Sequence, residues 1–524
     1  MVNAVSFKVI GFWLGLMLFI LLLVLPTFSV FTNEALTLLG NSTLEVPPEQ
    51  LAGSIQIVFA LFLLMVIWWI TEAVPLPVTA LLPPVVLPIF HVVGVQGAAP
   101  FEYTAKNVLV NYANPVIYLF LGGFLLAAAM QKWRLDRRMT LALLTRRNLA
   151  QSPKAILLGI MSVTAFISMW ISNTATAAMM LPLGIGILHL LRTQPGESRF
   201  GTALMLGIAW AASIGGVGTI IGTPPNGIAL GILNSFFAND PNYHRITFLD
   251  WMTFGVPFVL CMIPVAWRLL LLLHPPEITV IHGGKERLLQ ERSLLGALTR
   301  EEKLVIGVFL LAVVLWVSNP FWNSLLPSAI VYRIAWIDEY HIGLFVGILC
   351  FLIPVNMRNG AMLLSWSDTK FVDWGTLILF GGGIALSDAM FKTGLASWIA
   401  HSFIALLGTP STFILVVGVV LLVDFLTEVT SNTAVTSMMV PIVISISIST
   451  GGNAVTLSIA AAVAASMAFM LPVATPPNAL VYGTGYVRLK DMVKSGFWLD
   501  ILGWCVTVGI LYIVGDWIFG VLDF

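Results

Sequence analysis

The sequence contains very little charge. Only 10% of its 524 residues are Asp, Glu, Lys or Arg, whereas hydrophobic residues make up 58% and the mean hydropathy is +0.96. A soluble domain carries about 25% charged residues, so a chain this poor in charge cannot cover its surface with groups that bind water. The composition therefore predicts a protein whose partner is the lipid bilayer.

Cysteines, basic tracts and catalytic motifs are also scarce. The three cysteines, Cys261, Cys350 and Cys505, lie far apart in apolar runs, which excludes a disulfide framework or a cysteine cluster. The net charge is zero and there is no run of Lys and Arg, so no nucleic-acid partner is expected. No HExxH motif, GxSxG motif or cluster of histidines with carboxylates occurs, so an enzyme is not expected.

Long hydrophobic runs fill most of the chain. Counting runs of about 20 apolar residues predicts eleven transmembrane helices. They start near Ile10, Ile55, Val78, Pro115, Thr202, Trp251, Leu304, Ile342, Gly375, Val455 and Phe497. Two further apolar stretches, 155–191 and 411–450, have a polar cluster in the middle and are long enough to enter the bilayer, turn and leave on the same side. The prediction is an all-α polytopic membrane protein with about eleven transmembrane helices and two re-entrant hairpins.

The distribution of basic residues tests this topology. If the N-terminus is cytoplasmic and both hairpins are re-entrant, only Lys106, Arg245, Arg333 and Lys392 of the 25 Lys and Arg lie outside. This agrees with the excess of positive charge on the cytoplasmic side of membrane proteins. We therefore expect a multi-pass protein of the plasma (cell inner) membrane, with its N-terminus in the cytoplasm and its C-terminus outside.

Three short sequence blocks occur twice, in the same order. The Ser-Asn-Thr-Ala at 172–175 recurs at 431–434 with an offset of 259, and the Thr-Pro-Pro-Asn at 223–226 recurs at 475–478 with an offset of 252. A Gly-Gly pair recurs with an offset of 260. The predicted topology puts the two copies on opposite sides of the membrane, so the repeat is predicted to be inverted.

The repeat divides the chain into four predicted segments. They are the first transmembrane helix with an outer loop (1–54), the first inverted repeat (55–273), a cytoplasmic linker (274–303) and the second inverted repeat (304–524). Hairpin 155–191 is predicted to open inward and hairpin 411–450 outward. Inverted repeats place substrate and ion sites near the middle of the membrane, where interrupted helices meet.

The repeated motifs carry the groups that a buried ion site needs. Ser-Asn-Thr at a chain reversal supplies hydroxyls, an amide and the unpaired backbone groups of helix ends. Thr-Pro-Pro-Asn interrupts its helix because proline has no N–H group, and this frees carbonyl oxygens. Such irregular backbone is tolerated in a membrane only where it lines a cavity or the protein interior. Ser, Asn and Thr also cap ordinary helices, but two paired copies favour a binding site.

On these motifs the chain resembles the divalent anion/sodium symporter family, which includes bacterial succinate transporters and animal citrate and dicarboxylate transporters. The stretch Ile-Thr-Glu-Ala-Val-Pro-Leu-Pro at 70–77 adds to the resemblance, which runs from about Ile55 to the C-terminus. The resemblance implies a secondary active transporter that imports C4 dicarboxylates (succinate, malate, fumarate) by sodium symport. It also implies an elevator mechanism and a homodimer.

The resemblance further implies a set of site residues. The implied substrate contacts are Ser172, Asn173, Thr174, Ser431, Asn432, Thr433, Thr475 and Pro476. The implied ligands of a first sodium ion (Na+) are Ser168, Ser172, Asn173 and Gly222. Those of a second are Thr427, Thr430, Asn432 and Ala474. Position 430 is often a small residue in the family, so Thr430 is expected to act through its main-chain carbonyl.

Sodium coupling is also expected from charge. Neither hairpin tip contains Lys or Arg, and a dianion in the middle of the membrane is costly without a countercharge, which co-bound cations can supply. The sequence leaves open a sodium-independent dicarboxylate exchanger, a sulfate or citrate carrier of the same fold, and a channel. It also leaves open proton coupling through Asp424 and Glu428, whose first-repeat counterparts are Ala165 and Met169.

Overall fold

The computed structural model describes residues 2–40, 46–97, 99–145, 152–277, 289–290, 292–334, 336–357 and 360–519. Their regular structure is almost entirely helical. Nine helices in these ranges are long and apolar enough to cross a membrane, or up to eleven if each of two bent helix pairs counts as one span. The prediction of an all-α, multi-pass membrane protein is confirmed.

The first half of the chain contains helices of very different lengths. They are α1 (Val2–Val24), α2 (Ser29–Leu39), α3 (Pro48–Thr71), α4 (Leu76–Thr79), α5 (Pro83–Ile89), α6 (Ala105–Leu109), α7 (Pro115–Lys132), α8 (Leu135–Leu144), α9 (Pro153–Ser168), α10 (Asn173–Leu190), α11 (Arg199–Gly216), α12 (Pro224–Phe236) and α13 (Phe248–Leu273). Strands β1 (Val93–Gln96) and β2 (Ala99–Glu102) pair antiparallel, with Val93 opposite Glu102.

The second half has a similar organisation. Its helices are α14 (Arg300–Ser318), α15 (Trp322–Leu325), α16 (Ser328–Ile334), α17 (Glu339–Leu352), α18 (Trp374–Thr393), α19 (Leu395–Leu407), α20 (Thr412–Thr427), α21 (Asn432–Thr450), α22 (Ala454–Ala464), α23 (Pro476–Tyr482) and α24 (Leu489–Phe519). Strands β3 (Pro354–Asn356) and β4 (Ala361–Met362) form a second antiparallel pair. Short 3-10 helices cover Val110–Ala113, Asn319–Phe321 and Trp366–Phe371.

Two of the predicted spans are not continuous helices, and here the prediction is wrong. The run that starts near Val78 folds as the short helices α4 and α5, in a stretch that contains Pro77, Pro83 and Pro88. Each proline removes a backbone donor, so a continuous helix is not stable there. The run that starts near Val455 forms only the 11-residue helix α22, because the N–H groups of residues 469–471 bind a side chain from another segment.

The two stretches predicted as hairpins each fold as two helices with a break between them. In 155–191 the helices are α9 and α10, separated by residues 169–172, and in 411–450 they are α20 and α21, separated by residues 428–431. The two helices of each pair contact each other. Both breaks coincide with the repeated Ser-Asn-Thr motif. The re-entrant path through the membrane and the opposite orientation of the two copies stay predictions.

The repeated Gly-Gly pairs lie where backbones approach closely. A Cβ atom added to Gly122 in α7 would lie 2.0 Å from the main-chain oxygen of Gly343 in α17. A Cβ atom added to Gly382 in α18 would lie 2.2 Å from the main-chain oxygen of Ala80. Small residues let membrane helices pack at this distance. The same repeated motif therefore serves close packing in both halves.

The end of the predicted linker 274–303 is attached to the first half. The guanidinium of Arg138 in α8 binds Glu302 at 2.7 Å and donates hydrogen bonds to the main-chain oxygens of Leu295 and Gly296. Much of the linker (278–288 and 291) and the predicted outer C-terminus (520–524) lie outside the described residues. Arg138 thus connects α8 to the N-terminus of α14 through an ion pair and main-chain contacts.

Candidate functional site

The first Ser-Asn-Thr motif forms a compact group of oxygen atoms. We call residues 168–174, between α9 and α10, the first tip. The Ser168 hydroxyl lies 2.9 Å from Oδ1 of Asn173 and 2.7 Å from the main-chain oxygen of Ala212, and it is completely buried. Ser172 caps α10 by accepting a hydrogen bond from the N–H of Ala175. Oxygen atoms from a hydroxyl, an amide and a carbonyl therefore meet at one point, as a sodium ion requires.

The second motif makes the same contacts. We call residues 427–433, between α20 and α21, the second tip. The Thr427 hydroxyl lies 2.7 Å from Oδ1 of Asn432 and 2.9 Å from the main-chain oxygen of Ala465. The hydroxyl of Thr430 donates to the main-chain oxygen of Trp69 in α3, so that side chain is already engaged. Each tip thus pairs one hydroxyl with one asparagine oxygen, at positions separated by the offset of the sequence repeat.

An asparagine side chain holds the interruption in the first broken helix. We call residues 217–223, between α11 and α12, the first break. Nδ2 of Asn226 donates hydrogen bonds to the main-chain oxygens of Gly216 (3.1 Å) and Thr219 (2.8 Å). The next helix begins at Pro224, which has no N–H to bind a preceding carbonyl. The main-chain oxygen of Gly222 lies within this loop, free of a regular helix.

The second broken helix is held in the same way. We call residues 465–475, between α22 and α23, the second break. Nδ2 of Asn478 donates hydrogen bonds to the main-chain oxygens of Ala468 (2.9 Å) and Leu471 (3.0 Å), which are the repeat equivalents of the acceptors of the first break. Thr475 caps α23 by accepting from the N–H of Asn478. The expected ligand Ala474 therefore lies next to a helix start.

The structure brings the first tip and the first break together. A Cβ atom added to Gly216 would lie 2.4 Å from Oδ1 of Asn173, and one added to Gly222 would lie 2.5 Å from the main-chain oxygen of Gly216. Gly216 is therefore in contact with both segments. Helix α12 also packs against α21 and α22, and α23 packs against α10 and α11, so elements of the two halves interlock around the tips.

Exposure separates the residues expected to bind only sodium from most of the expected substrate contacts, while Ser172, Asn173 and Asn432 belong to both sets. Ser168, Gly222, Thr427, Thr430 and Ala474 are buried. The substrate set is more accessible, with two exceptions. Its partly or fully exposed members are Ser172, Asn173, Thr174, Ser431, Asn432 and Pro476, and its buried members are Thr433 and Thr475. The tips are therefore partly accessible at the protein surface, whereas the points behind them are buried.

The structure also adds an acidic residue that the sequence analysis missed. Asp424, Glu428 and Asp500 are each about 1% exposed, and their carboxyl groups lie close enough to interact. Asp500 belongs to α24, about 70 residues further along the chain than Glu428. A carboxylate inside a predicted span, as at position 500, was the sequence signal that could have identified it.

Two interrupted helices, two polar tips and a bundle of apolar membrane helices define a membrane transporter. Comparison with known proteins agrees. Residues 35–521 match the family described as the sodium:sulfate symporter transmembrane region. The sodium-dependent dicarboxylate transporter SdcS of Staphylococcus saprophyticus is 37% identical over 489 residues, which cover 90% of this chain and 89% of that protein. SdcS of Staphylococcus aureus is 36% identical over 485 residues, or 90% of this chain and 88% of that protein.

The chain therefore belongs to the sodium:sulfate symporter family. The family resemblance read from the motifs is confirmed, and so is the expectation of a transporter rather than an enzyme. Among solved structures, the crystal structure of the Alcanivorax borkumensis YdaH transporter covers 87% of this chain and 98% of its own, with 17% identity and a TM-score of 0.53. The two proteins share a fold.

Proposed function

We propose that this protein imports C4 dicarboxylates such as succinate, malate and fumarate by sodium symport. The observation that carries the proposal is the duplicated group of oxygen atoms at the two tips, Ser168 with Asn173 and Thr427 with Asn432. Neither tip contains a basic residue. Relatives named sodium-dependent dicarboxylate transporters, which align over 90% of the chain, support the same function.

In this proposal each tip and its neighbouring break hold one sodium ion. The first ion is held by Ser168, Ser172, Asn173 and Gly222. The second is held by Thr427, Thr430, Asn432 and Ala474. The dianion binds between the tips, to Ser172, Asn173, Thr174, Ser431, Asn432, Thr433, Thr475 and Pro476. The burial of the five ligands that belong to the cation set alone, and the exposure of most substrate ligands, support this division.

Charge explains why the ions must move together. A dicarboxylate carries two negative charges, and transfer of an unpaired charge into a membrane interior costs several kcal/mol or more. The tips offer hydroxyls, amides and helix N-termini, which bind an anion but neutralise little of its charge. Two sodium ions per dicarboxylate make the loaded site neutral, so we propose that at least two sodium ions accompany each dianion.

We further propose that the two halves form an inverted repeat that works by an elevator mechanism. Equivalent hydrogen bonds at both tips and both breaks support a structural repeat. The placement of basic residues supports its inversion. In this orientation the protein is inserted in the plasma membrane with its N-terminus in the cytoplasm and its C-terminus outside. The two tips and two breaks would move together as the transport domain. The elevator motion and the homodimer rest on the family resemblance.

The test is uptake of radiolabelled succinate into proteoliposomes. We expect an inward sodium gradient to raise the initial rate at least about tenfold over an equal potassium gradient, since the site needs cations that its tips can ligate. Uptake should not require succinate inside the vesicles. Uptake that ignores sodium but needs internal dicarboxylate would instead identify an exchanger.

Sulfate and citrate are the second candidates, because a site rich in hydroxyls and backbone N–H groups can also bind other divalent or larger anions. Unlabelled malate, fumarate, sulfate and citrate, each in excess, can be compared as competitors of labelled succinate. We expect malate and fumarate to compete and sulfate to leave the rate unchanged. Competition by sulfate as strong as that by malate would assign the site to sulfate.

A further inference from the structure

Glu428, in the second tip, makes an unusual set of hydrogen bonds. It follows Thr427 directly, and its buried carboxylate accepts hydrogen bonds from three consecutive backbone N–H groups. Their donors are Phe469 (2.5 Å), Met470 (2.8 Å) and Leu471 (3.0 Å). These N–H groups belong to the second break, where no helix provides acceptors for them. One side chain therefore replaces the acceptors that the interruption of the helix removes.

The same segment of backbone leads to the second sodium site of the proposed function. Leu471 is held from both sides, because its N–H donates to Glu428 and its main-chain oxygen accepts from Asn478. The proposed ligand Ala474 lies three residues further along the same break. Glu428 thus connects the ligand Thr427, its neighbour in the tip, with the part of the break that carries Ala474.

The first half connects its tip and break at the same positions but without a carboxylate. The repeat equivalent of Glu428 is Met169, and that of Leu471 is Thr219. There the Thr219 hydroxyl donates to the main-chain oxygen of Met169. The first connection is therefore a neutral hydrogen bond, and only the second includes an ionisable group.

Asp424 and Asp500 lie next to Glu428 in the same buried acidic cluster. Neither carboxyl oxygen of Asp424 has a hydrogen-bond partner among the described residues. Glu428, in contrast, is fixed by three backbone N–H donors, so its carboxyl group joins the second tip to the second break.

We propose that Glu428 is a positioning residue that sets the sodium affinity of the second site. Its carboxyl group holds the second break in register with the second tip through three backbone hydrogen bonds, without contacting the substrate. This inference rests on the proposed function. It also implies that the two sodium sites differ, because the first has no acidic neighbour at the equivalent position.

The test is Glu428→Gln, which keeps the size of the side chain and leaves one of the three N–H groups without a good acceptor. We expect the sodium concentration for half-maximal succinate uptake to rise about tenfold, as for the loss of a buried hydrogen bond. The succinate concentration for half-maximal uptake, measured at saturating sodium, and the maximal rate should stay within about twofold of the wild type. A substitution that only disturbed packing would lower the maximal rate and would not raise the sodium requirement selectively.

Asp424→Asn and Asp500→Asn are matched controls, because they replace an acid of the same cluster but leave the three hydrogen bonds to Glu428 in place. Their sodium dependence should stay within about twofold of the wild type. Glu428→Asp restores a carboxyl group on a shorter side chain and should recover part of the sodium affinity. It also serves as the deciding variant if Glu428→Gln does not elute as a folded, monodisperse protein.

Three results would overturn the inference. The first is an unchanged sodium dependence of uptake in Glu428→Gln, or in Glu428→Asp if the glutamine variant is unfolded. The second is an equal loss of sodium affinity and succinate affinity in Glu428→Gln. The third is a sodium dependence in Asp424→Asn that shifts as much as in Glu428→Gln. Absence of sodium-driven uptake in the wild type would refute the proposed function instead. Sodium-dependent thermal stabilisation of purified wild type and Glu428→Gln then still tests the role of Glu428, and equal stabilisation of the two would reject it.

Discussion

Replacement of Asn432 with alanine is expected to reduce sodium-driven succinate uptake by about 100-fold or more. Oδ1 of Asn432 lies 2.7 Å from the Thr427 hydroxyl, and the residue begins α21, where the helix N-terminus favours an anion. The substitution removes one ligand shared by the second sodium ion and the substrate. Hydrogen bonds to charged groups contribute about 1.5–3 kcal/mol each, so the loss of two such contacts accounts for this reduction.

Asn173→Ala should have a similar effect, because Asn173 occupies the equivalent place in the first tip. Asn453→Ala is the matched control. Asn453 caps α22 by accepting hydrogen bonds from the N–H groups of Val455 and Thr456, at 2.9 and 3.1 Å. Loss of such a cap costs about 1 kcal/mol of stability. Uptake per folded protein should remain within about twofold of the wild type.

These predictions are tested by the uptake rates of the three variants in proteoliposomes, normalised to the amount of folded protein. If Asn432→Ala keeps more than about half of the wild-type rate, the second tip is not the binding site. If Asn453→Ala lowers the uptake rate as much as Asn432→Ala does, the tip substitutions act by removing helix caps and not by removing ligands.

Replacement of Gly215 with alanine is expected to destabilise the transporter by about 2–3 kcal/mol and to lower uptake with it. An added Cβ atom would lie 2.3 Å from the main-chain oxygen of Ala165 and 2.6 Å from its Cα atom. Both obstacles are backbone, so α9 and α11 must move apart. That movement separates the Ser168 hydroxyl in α9 from the main-chain oxygen of Ala212 in α11, which it contacts at 2.7 Å.

The midpoint of thermal unfolding in detergent, measured together with uptake, tests this prediction. Gly418→Ala is the control, since Gly418 lies inside α20 and no atom comes within 4 Å of an added Cβ atom. Alanine should be tolerated there without a loss of stability. A Gly215→Ala variant with the thermal midpoint and uptake of the wild type would show that the two helices do not need this close contact.

Local sequence patterns were sufficient for the parts of the fold that depend on solvent and on short motifs. The low charge content required a membrane environment, and the helices found in the structure agree with that requirement. The repeated Ser-Asn-Thr and Thr-Pro-Pro-Asn motifs located the tips and breaks, because proline and helix-capping residues act on their nearest neighbours in the chain. The family resemblance came from the same short motifs.

The lengths of individual helices could not be predicted from hydrophobicity alone. Near Val78 the run is apolar enough to span a membrane, but its prolines lack the N–H donors that a continuous helix needs. Near Val455 the apolar run continues well past Ala464, where α22 ends. Nothing in those residues themselves marks the end of the helix.

The sequence by itself determined that the chain is solvated by lipid, that its backbone is interrupted near the repeated motifs, and which polar groups those motifs supply. Only the tertiary structure decided which of these groups meet. The bonds from residues 469–471 to Glu428 join positions at least 41 residues apart, and Asp500 reaches the same cluster from the last helix. Contacts over such distances depend on how whole helices pack. A helix that must satisfy its own hydrogen bonds in lipid can end early only where another segment brings an acceptor to it.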